Sequence, residues 1–304
     1  MIAFGCSVTS PGVYERYAGP GIRLAAEPDS ELFVDAAAGS VARSYNLILD
    51  RAVTNAGLEG VVFVHQDAEI ADRGLCRKLR EAFADQDVGV VGCVGAVGAS
   101  TMAWWEGSVT WEQFVRSYPD LAGVEIPRLS WNGQTLPPHA PLGEVDTLDG
   151  FLLALSPWAA RNLRFDESLD ATHGYDFDIC LQARAAGRKV AAIDIRAKHH
   201  HSLNLVTDPE AWSEAHMRVA EKWDGRMGHP TADENDWEQR ARRAEAEAGV
   251  ARLARASKHL QAVARAERED RELETVIRTA SWRITEPLRR MNALRRRLLG
   301  SRAR

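Results

Sequence analysis

The chain has 304 residues, 45% of them hydrophobic, with a formal net charge of −5, which allows one large core or two smaller ones and excludes broad disorder. Cys6, Cys76, Cys93 and Cys180 are far apart and form no C-x-x-C pair, so neither a disulfide framework nor a structural zinc site is expected. The opening "MIAFGCSVTSPG" has no basic leader, and no later segment approaches the roughly 20 apolar residues that span a bilayer, so a cytoplasmic protein is expected.

In chain order, "ELFVDAA" reads as a strand, and Ser40 is placed to cap a helix over "VARSYNLILDRAV", whose Val41, Tyr45, Ile48 and Ala52 share one face. The run at 61–64 reads as a strand buried on both faces that leaves the sheet at His65, Gln66 and Asp67. A helix near "LCRKLREAF", the apolar run "VGVVGCVGAV" and a strand in "TLDGFLLAL" follow. A helix over about 176–186, ended by Gly187, precedes the last strand, "KVAAIDI". Strands separated by helices predict a mostly parallel, three-layer α/β sheet. No G-x-G-x-x-G and no G-x-x-x-x-G-K-[ST] is present, so dinucleotide and P-loop readings lose their main support.

The charge is uneven. Nine Arg and one Glu lie between 275 and 304, a local +8 that leaves −13 for the rest. From about residue 233 the composition turns to Ala, Arg and Glu with almost no Gly or Pro, which favours helix, yet a heptad started at Val250 fails at Glu267. The final segment sets Trp282, Ile284, Leu288, Met291, Leu294, Leu298 and Leu299 among arginines. It suits an amphipathic basic helix on an anionic membrane surface, broken at Pro287, and would equally suit docking on the body or on a second subunit in a homodimer. Nucleic acid is not an expected partner, because aromatic residues are nearly absent from the basic run.

Three groups could carry chemistry: His65 with Asp67 at a strand end, Asp176 with Asp178 at a helix start, and His199, His200 and His201 after the last expected strand. Together at the carboxyl edge of the sheet they would make a mixed carboxylate and imidazole site suited to Mn2+ or Mg2+ holding a phosphate. Each also has a plainer reading, Asp67, Asp176 or Asp178 as helix caps and the histidines as a solvated loop. Between the halves, about 99–142, lies an irregular insert with four of the nine tryptophans, where Trp104, Trp105 and Trp111 are either core or a platform for a sugar ring.

The order of these motifs resembles the GT-A-fold glycosyltransferases of the family 2 type, in the branch with H-Q-D in place of D-x-D. The likeness covers about 1–225 and rests on "FVHQDAEI", "LDGFLLALSP" and "RFDESLDATHGYDFDICLQARAAGRKV". It implies a Rossmann-like GT-A domain over 1–228 and a helical, Arg-rich extension over 229–304. By the same likeness Asp176 is the catalytic base, preceded by Tyr175 where the family has Glu. Asp67, His65 and His200 would hold a divalent metal ion. Ser7, Asn46, Gln66, Asp149 and Gly150 would face a nucleotide-sugar donor, and Trp104, Trp105 and Tyr175 a saccharide or lipid-linked glycan acceptor. The ending "TASWRITEPLRRMNALRRR" is similar to a tail on enzymes that build bacterial surface polysaccharides, which implies a place on the inner face of the membrane. One base and one metal without a protein nucleophile implies a single displacement with inversion. Two other classes stay open, an inactive GT-A module that binds sugar and a metal-dependent phosphoesterase.

Overall fold

The computed structural model describes residues 1–223 except 37–38, 100–101, 105–107, 119–123, 127–140, 170–171 and 201–207, and isolated positions from 248 to 285. In chain order the elements are β1 (Ile2–Ser7), α1 (Pro11–Arg16), α2 (Ala18–Ala25), β2 (Glu31–Asp35), α3 (Val41–Ala52), β3 (Gly60–Val64) and β4 (Ala68–Ile70). Then come α4 (Leu75–Phe83), β5 (Val88–Gly92), β6 (Gly95–Val97), β7 (Ser108–Thr110), β8 (Phe114–Tyr118), β9 (Val124–Ile126), β10 (Gly143–Val145) and β11 (Thr147–Leu148). Last are β12 (Leu152–Leu155), α5 (Pro157–Asn162), α6 (Tyr175–Ala185), β13 (Lys189–Ala192), β14 (Ala197–His200) and α7 (Pro209–Lys222).

Seven strands form the central sheet in the order β10-β13-β5-β12-β3-β1-β2. All run one way except β10 and β12, so the sheet is mostly parallel, as the alternation of strand and helix signals predicts. Its inner strands β3, β5 and β12 are apolar throughout because successive side chains enter different cores. Val62 and Val64 pack with Phe4, Ile22, Leu75 and Leu79 on one face, while Val61 and Phe63 pack with Tyr45, Ile48, Ala159 and Ile179 on the other. Burying a Phe such as Phe63 is worth about 1.5–3 kcal/mol, so β3 is anchored from both faces of the sheet.

The helix signals act as read. Ser40 accepts the Arg43 N–H at 3.2 Å and opens α3, and α6 ends where Gly187 takes a φ of +73°, a conformation that costs a residue with a Cβ. The polar run that ends in the histidines is itself strand β14, in a second sheet of order β4-β14-β8-β9, and the insert contributes β7, β8 and β9 to the smaller sheets. "TLDGFLLAL" is two strands, β11 and the reversed β12, parted by Asp149 to Phe151. All four cysteines are buried and free.

The chain divides into two units, Met1–Ser257 and Lys258–Arg304. In the second, the described positions from 259 to 284 are helical, and Ile277 and Ile284 are exposed. Trp282, Leu288, Met291, Leu294, Leu298 and Leu299 lie outside the described residues. No helix among the described residues is long and apolar enough to cross a membrane.

Candidate functional site

Strand β3 ends at Val64 and the chain turns at once. The His65 carbonyl accepts the Ala68 N–H at 3.0 Å, closing a turn over His65, Gln66, Asp67 and Ala68. That turn, rather than an extended backbone, brings the His65 and Asp67 side chains together, with His65 Nδ1 4.0 Å from Asp67 Oδ1. Strand β14 pairs antiparallel with β4 and sets His199 opposite Ala68. His199 Nε2 therefore lies 3.5 Å from Asp67 Oδ1, and its ring stacks on Phe151 at 4.7 Å. His65, Asp67 and His199 each offer one ligand atom, all within 4.8 Å of one another.

His199 thus takes the place expected of His200. Adjacent residues of a strand point to opposite faces, and β14 gives its inner face to His199. His200 turns the other way, where its Nε2 meets Glu69 Oε2 at 2.9 Å and its ring stacks on Tyr17 at 3.8 Å. His201 lies outside the described residues.

Asp176 is the second residue of α6. Its carboxylate accepts the Gly150 N–H at 3.0 Å and the Phe177 N–H at 2.9 Å. Burial, and then the charge of Asp149, push its pKa up to about 7 against the pull of those backbone donors. Gly150 has to be glycine, since a Cβ there would run into the Tyr175 hydroxyl and stand 2.9 Å from Asp176 Cβ. Asp176 and the histidine group are linked through this segment, because the His65 N–H donates to the Phe151 carbonyl at 2.9 Å and His65 Nε2 meets the Tyr175 hydroxyl. Burial also lowers the His65 pKa, favouring the neutral, ligating imidazole.

Other expected residues have structural work. Gln66 Oε1 accepts the Thr9 and Ser10 N–H groups at 3.0 and 2.8 Å, pinning the chain between β1 and α1. Asn46 holds the backbone of Phe165 in both directions, N–H and carbonyl, each at 2.9 Å. Trp104 and Trp111 are core residues, 5% and 7% exposed, which removes Trp104 as an open platform; Trp105 lies outside the described residues. Tyr175 is 3% exposed and offers no ring face to an acceptor. Ser7, at the end of β1, and Asp149, beside Gly150, stay at the carboxyl edge. Asp178 is fully buried and points away from Asp176, with Lys222 Nζ at 2.9 Å and Trp223 Nε1 at 2.7 Å.

Asp149 as the charge acting on Asp176 was not foreseen.

Streptomycin biosynthesis protein StrF of Streptomyces griseus is 27% identical over 203 residues, 66% of this chain and 67% of that protein. Among solved structures, the mannosyltransferase PcManGT from Pyrobaculum calidifontis in complex with GDP-Man and Mn2+ is 13% identical, with a TM-score of 0.44 over 93% of this chain and 82% of its own. GalNAc-T7 with UDP, GalNAc and Mn2+ is 10% identical, with a TM-score of 0.49 over 81% of this chain and 54% of its own. A family model described as "Glycosyltransferase like family" matches residues 17–217, which take in His65, Asp67, Asp176 and His199. The chain belongs to that glycosyltransferase-like family and is an enzyme of the glycosyltransferase kind.

Proposed function

We propose that the protein is a metal-dependent, inverting glycosyltransferase that moves a sugar from a nucleotide diphosphate to a hydroxyl of a saccharide or lipid-linked glycan. The observation that carries it is the meeting, at one sheet edge, of a three-ligand His-Asp-His group and a separate carboxylate, Asp176, with a raised pKa.

The ligand set fits a divalent ion. His65, His199 and Asp67 would hold it through two imidazole nitrogens and one carboxylate oxygen, a donor set that suits Mn2+. When bound, the ion supplies Lewis-acid neutralisation of the charge on the departing diphosphate. The chain's own residues do the rest. Asp176 takes the proton from the acceptor hydroxyl as its oxygen bonds to the anomeric carbon and the bond from that carbon to the diphosphate oxygen breaks. A pKa of about 7 leaves this carboxylate about half ionised at neutral pH and basic enough to accept that proton. Gly150 and Phe177 keep it oriented through their N–H groups. One base and a direct attack give inversion at the anomeric carbon.

A thermal-shift screen of nucleotide diphosphates, with Mn2+ or with chelator, tests the donor site, since a ligand at 100 times its Kd stabilises by about 2.7 kcal/mol. Sugar transfer is then followed with the matching donors. Equal binding in chelator and in Mn2+ would refute the metal's part, binding without turnover would leave a sugar-binding module, and free phosphate released from phosphate esters would indicate a phosphoesterase. The resemblance of the basic tail to those of surface-polysaccharide enzymes, and the exposure of Ile284, support placing the enzyme at an anionic membrane. Deleting residues 275–304 should lower association with anionic vesicles and leave donor hydrolysis intact.

A further inference from the structure

Tyr175 has no part in the steps above, yet its surroundings are built around its hydroxyl. The ring is held among Tyr45, at 5.8 Å and 84°, and Phe165, at 6.1 Å and 59°. Gly150 supplies the space in which the hydroxyl sits, and the hydroxyl meets Nε2 of His65. With that nitrogen engaged, His65 turns Nδ1 toward Asp67. A neutral imidazole carries one proton, and the nitrogen that hydrogen-bonds outward decides which one stays free to ligate.

We propose that Tyr175 is a positioning residue for the metal site: its hydroxyl oxygen accepts the His65 Nε2–H and so presents the Nδ1 lone pair to the group formed with Asp67 and His199. The proposal rests on the metal reading given above. Because Tyr175 directly precedes Asp176 in α6, and Asp176 accepts the Gly150 N–H, the same short segment sets both the ligand and the base. Buried polar groups need partners, and a tyrosine in an apolar ring cluster spends its one hydroxyl where it orders the site.

The test uses the full chain and Mn2+ alone. Tyr175→Phe keeps the ring and removes the hydroxyl, and should weaken Mn2+ by about 10- to 100-fold, as loss of an outer-shell partner does. Imidazole nitrogen NMR of the metal-free protein, with His65 assigned by His65→Gln, should show the proton on Nε2 in the wild type and a mixture of tautomers in Tyr175→Phe. Tyr45→Phe is the matched control, because among the described residues the Tyr45 hydroxyl has no hydrogen-bond partner, and it should change neither measurement. Wild-type Mn2+ affinity together with an unchanged tautomer in Tyr175→Phe would overturn the proposal. So would a proton on Nδ1 in the wild type, a measurement that stands even if the variant does not fold. If the wild type binds no Mn2+, the metal reading fails, while the tautomer comparison still decides what Tyr175 does.

Discussion

Replacing Asp176 by Asn tests the base and its environment together. The folded carboxyl has a pKa of about 7 against an ordinary 3.8. Between pH 5 and 7, therefore, the unfolded chain has released this proton and the folded chain keeps it. A raised folded pKa means stability is present at low pH and is lost as pH rises through the window between the two values. Each pH unit there is worth about 1.4 kcal/mol, a ceiling of about 2.7 kcal/mol over two units, and the partial exposure of Asp176 reduces this to about 1–2 kcal/mol. Asn cannot titrate, so the stability of Asp176→Asn relative to wild type should rise by that amount from pH 5 to pH 7. Taking the difference between the two pH values cancels the fixed cost of turning an amide NH2 toward the Gly150 or Phe177 N–H. Denaturant titrations of both proteins at each pH measure it. Transfer should fall by about 10²- to 10⁴-fold, and the wild-type rate should climb with pH through about 7. A stability difference that does not change with pH, or transfer at the wild-type rate, would refute the assignment.

Asp178→Asn is the contrasting change: it disturbs the contacts of a buried carboxylate with Lys222, Trp223 and Gln182, and should cost about 2 kcal/mol, or about 4–8 °C in Tm, while leaving turnover of the folded fraction near wild type. Asp149→Asn removes the like charge beside Asp176, so the midpoint of the pH-rate profile should move below 7 without returning to 3.8, burial being the larger cause. His199→Ala should weaken Mn2+ by at least the 10- to 100-fold of a lost outer-shell partner. His200→Ala should leave Mn2+ affinity unchanged and cost about 1 kcal/mol of stability through the lost Tyr17 stack, as titration calorimetry and melting would show.

Much of the frame is legible along the chain because its signals are local. The apolar run of β3, the Ser40 cap of α3 and the Gly187 stop of α6 depend on residues within a few positions of one another, and each is where the sequence reads it. His65, Asp67 and Asp176 could likewise be singled out as polar residues at strand and helix ends. Strand β14 is harder to read, since "AKHH" carries no apolar run and is extended only because β4 and β8 pair with it.

Sequence alone, then, determines which segments are buried strands, where helices start and stop, and which side chains could hold a metal or take a proton. Tertiary structure decides which of them meet. One residue of register in β14 sends His199 to Asp67 and His200 to Glu69 and Tyr17, because neighbouring side chains on a strand face opposite ways. The same holds for Tyr175, read as an acceptor contact and found against His65, and for Gln66, Asn46 and Trp104, whose polar or aromatic groups are taken up by the fold. It holds above all for Asp176: its raised pKa comes from burial and from Asp149, a charge 27 residues away in the chain that packing brings near, and no local pattern encodes a distance of that kind.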